Sequence, residues 1–414
     1  MNRIARTLPR AASYWTAAAV AAIALWTSGA PSTTYPLYEA QWHVTAAITT
    51  TIFAVYPLTL VIVLLVFGDL ADHIGRRAAI LLGLAAMLIG TLLFAVAPNI
   101  ALVFVGRAFM GVGVGLALSP ASAAVVEFSR PGRERSAGSV TTASTALGLV
   151  FATLIGGALI QYAPFPLHLD FWVLVIAIAA VGVGVWFLPR HTPDESRGPW
   201  RPRGVAVAPS IRLLYVVAAL AVSVAYMFGS VFLALGAQIA EEITATRNVF
   251  VVGAILAIMS AIIGVTAIAT RSVRPQLLIA IGSVVTLVAF GFLLDSAFSG
   301  SLQVFMVTTL VSGAAYALMF AGGLGLIGQN APAHHRAGTI SAVYLVAYIL
   351  QGAAAIALGL VATASGLRTA LELGAVVVSV FAIAALVATQ VLRVRDRVEQ
   401  RVTDAAVPVS ALEE

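Results

Sequence analysis

The sequence predicts an all-α membrane protein with twelve transmembrane helices arranged as two six-helix repeats. Three observations lead to this fold class. Of the 414 residues, 61% are hydrophobic and only 10% are charged, whereas a soluble domain carries about 25% charged residues. The apolar residues form twelve segments, each close to the ~20 residues that a helix needs to cross a bilayer. Finally, short sequences of the first half recur in the second half.

The segments must be helical because lipid offers no hydrogen-bond partner to the backbone. Their orientation follows from the basic residues, which are all arginines. With the N-terminus inside, 20 of the 23 arginines lie in inner segments. Arg247 and Arg368 lie in outer loops, and Arg107 lies within a helix. The positive-inside rule therefore predicts that both termini are cytoplasmic. Because the positive charge follows the topology, it does not indicate nucleic-acid binding.

The internal repeat has an offset of 200 residues. The sequence R-S-A-G-S-V at Arg135–Val140 resembles H-R-A-G-T-I at His335–Ile340. A second half of six helices requires a first half of six, so we expect the first segment to be retained rather than cleaved as a signal peptide. The same offset aligns two glycine pairs, Gly29 with Gly229 and Gly113 with Gly313.

The repeat predicts a division into four parts. The N-terminal six-helix half spans residues 1–188, and the C-terminal half spans residues 213–392. Residues 189–212 join them and contain five prolines and five arginines, which predicts a cytoplasmic linker with little fixed structure. We expect the tail, residues 393–414, to be disordered. Cysteine is absent, which excludes disulfides and thiolate chemistry.

A charged turn, G-D-L-A-D-H-I-G-R-R at Gly68–Arg77, separates the second and third apolar segments. It must lie at a membrane surface because charge is costly inside the bilayer. The turn resembles the signature loop of the major facilitator superfamily of transporters, G-x-L-x-D-[RK]-x-G-R-[RK], and departs from it only at His73. The resemblance implies the major facilitator fold, in which two parallel repeats surround a central site.

The resemblance also implies a conformational latch at the inner surface. In the family, the matching aspartate docks on the start of helix 11, and the arginine pairs with an acid at the inner end of helix 4. Glu127 is the acid placed there. The predicted latch residues are Gly68, Asp72, Gly75, Arg76, Arg77 and Glu127. An ordinary surface turn without a switching role is the alternative.

Arg107 lies about eight residues into the fourth segment, where an arginine must face protein or a water-filled cavity. Its surroundings, G-R-A-F-M-G-V-G-V-G, resemble the family's R-x-x-x-G-x-G motif, which is linked to proton coupling or to anionic substrates. A structural arginine that binds carbonyls is the alternative. A proton-driven carrier usually needs a buried carboxylate, and the sequence shows none at mid-membrane. Glu39 is the predicted coupling partner of Arg107, and Asp170 is expected near the outer surface.

The fifth segment departs from the drug–proton antiporters of the superfamily. They carry G-x-x-x-G-P-x-x-G-G, whereas this chain reads G-L-V-F-A-T-L-I-G-G from Gly148 to Gly157. Ala152 and Thr153 replace the central Gly-Pro, although Gly148, Ala152 and Gly156 still form one face of small residues. The missing proline leaves the helix without a kink there, which weakens a drug-antiporter assignment.

Helices 1, 4, 7, 10 and 11 should supply the substrate cavity, because equivalent helices border the pathway in the resembled fold. Aromatic and methionine side chains there suit apolar or aromatic compounds. The predicted cavity residues are Trp26, Met110, Tyr226, Gln238, Tyr316, Met319, Tyr344 and Tyr348.

The sequence thus predicts a monomeric secondary transporter of the bacterial inner membrane, surrounded by lipid and without cofactor or metal. The expected activity is proton-coupled efflux of small lipophilic organic compounds. An uptake symporter or facilitator for a small organic acid or sugar is the alternative, favoured by Arg107 and the altered fifth helix. A lipid-modifying membrane enzyme would need clustered acids, histidines or a metal site, and a nucleotide-driven pump would need a G-x-x-x-x-G-K-[ST] loop. The chain lacks that loop.

Overall fold

The structure is a computed structural model that describes residues 7–68, 70–130, 134–189, 207, 211–330 and 333–405. Within these helices, the side chains of residues 72, 134–139, 244, 333–337, 396–397 and 399–405 are not described. The regular elements in the described ranges are all helical. The long helices are α1 Arg10–Gly29, α2 Ala46–Phe67, α3 Arg76–Ala95, α4 Ile100–Phe128, α5 Glu134–Tyr162, α6 Leu169–Trp186, α7 Arg212–Ala234, α8 Val249–Ala269, α9 Pro275–Ser299, α10 Leu302–Asn330, α11 Ala333–Ser365 and α12 Leu367–Ala405.

The predicted all-α membrane fold is confirmed. In the described ranges, 11 helices, α2 to α12, are long and apolar enough to cross a membrane. The remaining long helix, α1, has 20 residues and packs against α4 and α5 inside the first half. Many of its small apolar residues, such as Ala17, Ala21 and Ala24, are fully buried. It therefore completes the predicted set of twelve.

Short helices follow the first long helix of each repeat. In the first half, a 3-10 helix at Ala30–Thr33 and a short α-helix at Tyr35–Trp42 follow α1. In the second half, the helix Gly236–Thr244 follows α7. Pro31 starts the 3-10 helix, since the ring fits a first helical turn and needs no hydrogen-bond donor there. The helices Tyr35–Trp42 and Gly236–Thr244 touch each other, so they join the two halves.

The repeat has a local shift in its register. Gly113 packs against α3, where an added Cβ would lie 2.6 Å from the carbonyl oxygen of Gly83. Gly313, its predicted counterpart, packs instead against α8, at the carbonyl of Met259. The glycines of α4 that pack against α2, the counterpart of α8, are Gly111 and Gly115. The sequence alignment of Gly113 with Gly313 is therefore not kept in space.

The two halves meet along two helix pairs, α5 with α8 and α2 with α11. Both contacts are close enough to exclude a side chain at specific glycines. A Cβ on Gly253 of α8 would lie 2.2 Å from the carbonyl oxygen of Thr153 on α5. A Cβ on Gly359 of α11 would lie 1.8 Å from Oγ1 of Thr50 on α2. These glycines therefore set the distance between the halves.

The last helix is longer than the sequence predicts. We expect the final span to end near residue 392, but α12 continues to Ala405. Residues 393–405 contain no glycine or proline. They include four arginines, one glutamate, one glutamine and one alanine, which are good helix formers. The prediction of disorder at 393 was therefore wrong for the first part of the tail. Most of the predicted linker lies outside the described residues.

Candidate functional site

The predicted latch begins with an ion pair. Nη1 of Arg76, at the start of α3, donates a hydrogen bond to Oε2 of Glu127, near the end of α4. Their side chains are 31% and 30% exposed, so the pair is half-buried. Gly75 precedes Arg76 with φ of +87°, a left-handed conformation that favours glycine, and it turns the chain from the short helix Leu70–Ile74 into α3. The predicted pair is thus present in the structure.

Two further arginines fasten the same end of the bundle, which we call the Arg76 end. Nη1 of Arg77 donates to the carbonyl oxygen of Leu188 at 3.2 Å, and its guanidinium lies 5.5 Å from the ring centroid of Trp186. Arg10 donates to the carbonyl oxygen of Ser129 at 2.5 Å. These contacts lie within the first half. The predicted docking of Asp72 on the start of α11 falls outside the described side chains.

Arg107 is fully buried between α1, α2 and α4. Its Nη1 donates to the carbonyl oxygen of Ser28 at 2.9 Å. Its guanidinium lies 4.6 Å from the ring centroid of Tyr56 and 5.7 Å from that of Phe53, and such cation–π contacts offset part of the cost of burial. Nε and Nη2 have no hydrogen-bond partner among the described residues. Two donors therefore stay available to a ligand.

The glycines after Arg107 explain why Tyr56 lies under it. A Cβ on Gly111 would lie 2.5 Å from the carbonyl oxygen of Tyr56, and one on Gly115 would lie 2.9 Å from Val63. This G-x-x-x-G spacing lets α4 and α2 approach closely, as the sequence predicts. The close approach brings the Tyr56 ring beneath the arginine.

Five aromatic rings of the second half form a cluster, which we call the aromatic cluster. Tyr226 of α7 lies at its centre, 4.7 Å from Tyr348 and 5.8 Å from Phe320 between ring centroids. The hydroxyl of Tyr226 donates to that of Tyr348 at 3.3 Å. The cluster consists of Tyr226 on α7, Tyr316 and Phe320 on α10, and Tyr344 and Tyr348 on α11.

The aromatic cluster faces the first half. Tyr56 lies within electrostatic range of Tyr316 and Tyr348, and Tyr348 also packs against the first-half core. Apart from Tyr226, the rings of the cluster are partly exposed in the middle of long helices. A cavity between the halves reaches Tyr316 from Leu149 of α5. Arg107, Tyr56 and the aromatic cluster therefore form one central site at the interface of the halves.

Three predicted cavity residues lie in packing contacts instead. Met110 is fully buried and faces Gly90 of α3. Met319 is also fully buried and faces Gly282 of α9. In each case the neighbouring glycine leaves room that a flexible methionine fills. Trp26 is 8% exposed and packs 5.6 Å from Phe151, measured between ring centroids.

Glu39 lies at the opposite end of the bundle, which we call the Glu39 end. Its Oε1 accepts hydrogen bonds from Oγ1 of Thr49, at 2.6 Å, and from Nε2 of Gln238 in the second half. Burial raises the pKa of Glu39, and the two hydrogen bonds oppose that shift to a smaller extent. The predicted partners Glu39 and Arg107 therefore belong to separate networks. Gln238, predicted in the cavity, instead bridges the halves.

Further contacts close the Glu39 end between the halves. The amide of Ala47 donates to Oγ1 of Thr363 at 3.0 Å. The amide of Val249 donates to Oε1 of Gln161 at 2.9 Å. Together with the Glu39–Gln238 bond, they show that the structure has the halves closed against each other at this end.

Asp170 is buried in a way that sequence reasoning did not predict. It lies in the first turn of α6, in keeping with its expected position at the end of the sixth segment, but it is only 1% exposed. Neither carboxylate oxygen has a hydrogen-bond partner in the described part of the chain. A Cβ on Gly156 would lie 3.1 Å from Oδ2 of Asp170 and 3.2 Å from Oγ1 of Thr33. The only sequence signal was an acid followed at once by the apolar run F-W-V-L-V-I.

Comparison with known proteins identifies transporters. A riboflavin transporter of Clostridioides difficile, RibZ, is 27% identical over 181 residues, which are 44% of this chain and 37% of the relative. The multidrug resistance protein MdtH of Yersinia enterocolitica is 30% identical over 135 residues, 32% of this chain and 33% of the relative. The glucose transporter GlcP of Staphylococcus epidermidis is 28% identical over 127 residues, 30% of this chain and 27% of the relative. Each alignment thus spans less than two fifths of the curated relative.

The fold also has a solved counterpart. The chain is similar to a bacterial homologue of the human lysosomal transporter Spinster, solved in an inward-facing and unoccupied conformation, with a TM-score of 0.71. The likeness covers 92% of this chain and 97% of that chain at 14% identity, and it supports the fold. The family model of the Major Facilitator Superfamily matches residues 17–297, more than half of the chain. The protein is therefore a multi-pass membrane protein that belongs to the Major Facilitator Superfamily.

Proposed function

We propose that the protein is a secondary transporter that exports small lipophilic organic compounds in exchange for protons. The observation that carries this proposal is the aromatic cluster at the interface of the halves. It belongs to the second half but borders Tyr56 of the first half. A ligand placed there contacts both halves, and its binding can therefore respond to their relative movement.

The chemistry of the central site favours compounds that contain flat rings. Several cluster rings lie nearly parallel, such as Tyr226 and Phe320 at 16°. Their exposed faces and edges suit an inserted aromatic ring, and a favourable ring pair contributes about 0.5–1.5 kcal/mol beyond burial. The tyrosine hydroxyls add hydrogen-bond donors and acceptors at the edge of the cluster.

The relatives support this substrate class without deciding it. The name of MdtH describes a multidrug resistance protein, and that of RibZ describes a transporter of riboflavin, which is a flat aromatic compound. The name of GlcP describes a glucose transporter. The first two names agree with an aromatic site, and the third agrees with the uptake alternative.

In alternating access, the two ends of the bundle would open in turn. Contacts at the Glu39 end hold the halves together in this structure, and the residues Arg76 and Glu127 shape the loop at the other end. We propose that this loop latches the Arg76 end when the Glu39 end opens. From the arginine distribution we propose that the Arg76 end and both termini lie in the cytoplasm of a bacterial cell, and that the protein acts as a monomer in the inner membrane.

The alternative, uptake of a small organic acid or sugar, is favoured by one observation. Nε and Nη2 of Arg107 lack partners among the described residues. These donors could bind a carboxylate, and a charge-assisted pair would select an acid. Arg107 lies beside the ring of Tyr56 and contacts neither the aromatic cluster nor bulk water. A short organic acid would therefore have to pass that ring to reach the guanidinium.

Flux into proteoliposomes distinguishes the two functions. We expect ethidium or riboflavin to accumulate when a pH gradient is imposed, and benzoate and glucose to show no protein-dependent flux. Tyr226→Ala and Tyr348→Ala should each lower the flux of the aromatic probe at least ~10-fold, because either change removes a central ring of the cluster. Phe292→Ala, at a partly exposed ring on α9, should leave flux unchanged. Glucose or benzoate flux without ethidium or riboflavin flux would contradict the proposed efflux function.

A further inference from the structure

Asp170 is a buried acid that the central site does not use. It lies in the first turn of α6, covered by Gly156 of α5 and by Thr33 of the 3-10 helix. The Thr33 hydroxyl already donates to the carbonyl oxygen of Ala30. The carboxylate thus has close neighbours, but none of those in the described residues gives it a hydrogen bond.

No described residue forms a hydrogen bond or an ion pair with the carboxylate of Asp170. Tyr38 lies close enough for the two groups to interact electrostatically, and Tyr35 lies between Tyr38 and Arg107. On α6 itself, Nδ1 of His168 is engaged with the carbonyl oxygen of Ala95 at 3.0 Å. An ionised carboxylate in such surroundings is strongly disfavoured, and a buried group without a partner takes up a proton instead. The geometry therefore favours a neutral Asp170 in this conformation.

The second half packs against the elements that cover Asp170. The residue next to its neighbour Gly156 is Gly157, where a Cβ would lie 2.8 Å from the carbonyl oxygen of Val249 on α8. The 3-10 helix over Asp170 also touches α8 and the helix Gly236–Thr244. When the halves separate at the Glu39 end, these covering elements lose their outer support. Water can then approach the carboxylate along the Gly156 side.

We propose that Asp170 is a proton-binding site, protonated while the halves are closed at the Glu39 end and ionised when that end opens. Proton binding at Oδ1 or Oδ2 converts the carboxylate to a carboxylic acid, and release returns the proton to water at the opened end. Protonation therefore favours closure of this end. Because the proton binds from water and returns to water at the same end, it controls closure of that end and is not itself carried across the membrane. This control of closure does not rest on the proposed function.

Infrared difference spectroscopy of the purified protein tests proton binding without any substrate. We expect the wild-type protein to show the carbonyl band of a buried carboxylic acid, which disappears at alkaline pH. Asp170→Asn should remove this band while leaving thermal stability unchanged, because the amide replaces a neutral acid of similar shape. Asp295→Asn, at an exposed acid of α9, and Glu39→Gln should both leave it in place. A band that persists in Asp170→Asn would overturn the proposal.

A covalent lock tests the link to closure. The chain has no cysteine, so Ala47→Cys and Thr363→Cys introduce a unique cross-linking pair at a contact between the halves. With the Glu39 end locked, the Asp170 band should resist alkaline pH, and after reduction it should titrate again. A band that titrates equally in both forms would show that closure does not protect the proton.

Flux then separates this inference from the proposed function. If both are correct, ethidium or riboflavin flux in the wild-type protein depends on the pH at the Glu39 end. Asp170→Asn, which mimics the protonated acid, should slow this flux and remove its pH dependence. Wild-type flux with an unchanged pH dependence in Asp170→Asn would refute a role of this residue in closure. If the wild-type protein ignores the pH gradient, the proposed proton coupling is wrong, and the infrared band still decides whether Asp170 binds a proton.

Discussion

Replacing Gly253 by alanine should open the Glu39 end without unfolding the protein. Gly253 of α8 faces Thr153 of α5, and the added Cβ would lie 2.2 Å from the Thr153 carbonyl oxygen. That atom is backbone, so the clash cannot be relieved by a rotamer change. The two helices must separate, which is the movement that opens this end.

The magnitude follows from the clash. Overpacking of a close contact costs about 1–3 kcal/mol, and this cost falls only on the closed conformation. The gain in helix propensity, up to ~1 kcal/mol for Gly to Ala, applies to both conformations and cancels between them. A difference of 1–3 kcal/mol changes an equilibrium roughly 5- to 150-fold. Gly253→Ala should therefore shift the population toward the open form by that factor.

Cross-linking measures this shift. With cysteines at Ala47 and Thr363, the rate of cross-linking in membranes reports how often the Glu39 end is closed. Gly253→Ala should slow cross-linking, and the closed-to-open ratio derived from the cross-linking rates should fall at least ~5-fold, the lower bound of the estimated shift. Gly291→Ala is the control, since nothing lies within 4 Å of its added Cβ. Equal cross-linking rates in Gly253→Ala and Gly291→Ala would refute the reasoning.

Three further predictions concern charged groups. Arg76→Gln should lower flux about fivefold, as expected for a half-buried ion pair worth roughly 1 kcal/mol. A double variant that exchanges Arg76 and Glu127 should restore part of the flux. If that variant recovers no flux, the ion pair has no role in transport. Arg107→Lys should lower flux at least ~10-fold, because a buried hydrogen bond from a charged group contributes about 1.5–3 kcal/mol. Lysine also lacks the planar guanidinium with its forked donors. Wild-type flux in Arg107→Lys would show that Arg107 is dispensable. Because burial raises the pKa of Glu39 when the end is closed, closure takes up a proton. Cross-linking of the cysteine pair should be fastest below the ordinary pKa of Glu39, ~4.3. It should become slower as the pH rises through the raised pKa of Glu39 in the closed form, and Glu39→Gln should weaken this pH dependence.

The sequence predicted the fold and the loop well because both leave strong local signals. Apolar length predicts spans, and the charged turn with its glycines stands out against apolar neighbours. The pairing of Arg76 with Glu127 followed from the resemblance and the position of one acid. These features depend on where residues fall along the chain, which a sequence shows directly.

The sequence could not show which face of a helix each residue occupies. The helices α4 and α10 are apolar on all sides, so hydrophobic periodicity gives no orientation. Met110 and Met319 were therefore placed in the cavity although they face α3 and α9. The burial of Asp170 was missed for a related reason, because the 3-10 helix that covers it is formed by residues far away in the chain. Burial of this kind depends on tertiary packing.

The glycines between the halves have a consequence for the speed of transport. At Gly157 and Gly253, backbones of the two halves touch with no side chain between them. Glycine has no rotamers to freeze, so joining such surfaces adds little side-chain ordering. Nothing has to interdigitate when they meet or withdraw when they part. These glycine contacts favour a low barrier for the rocking of the two halves, and a bulky residue there would slow that step.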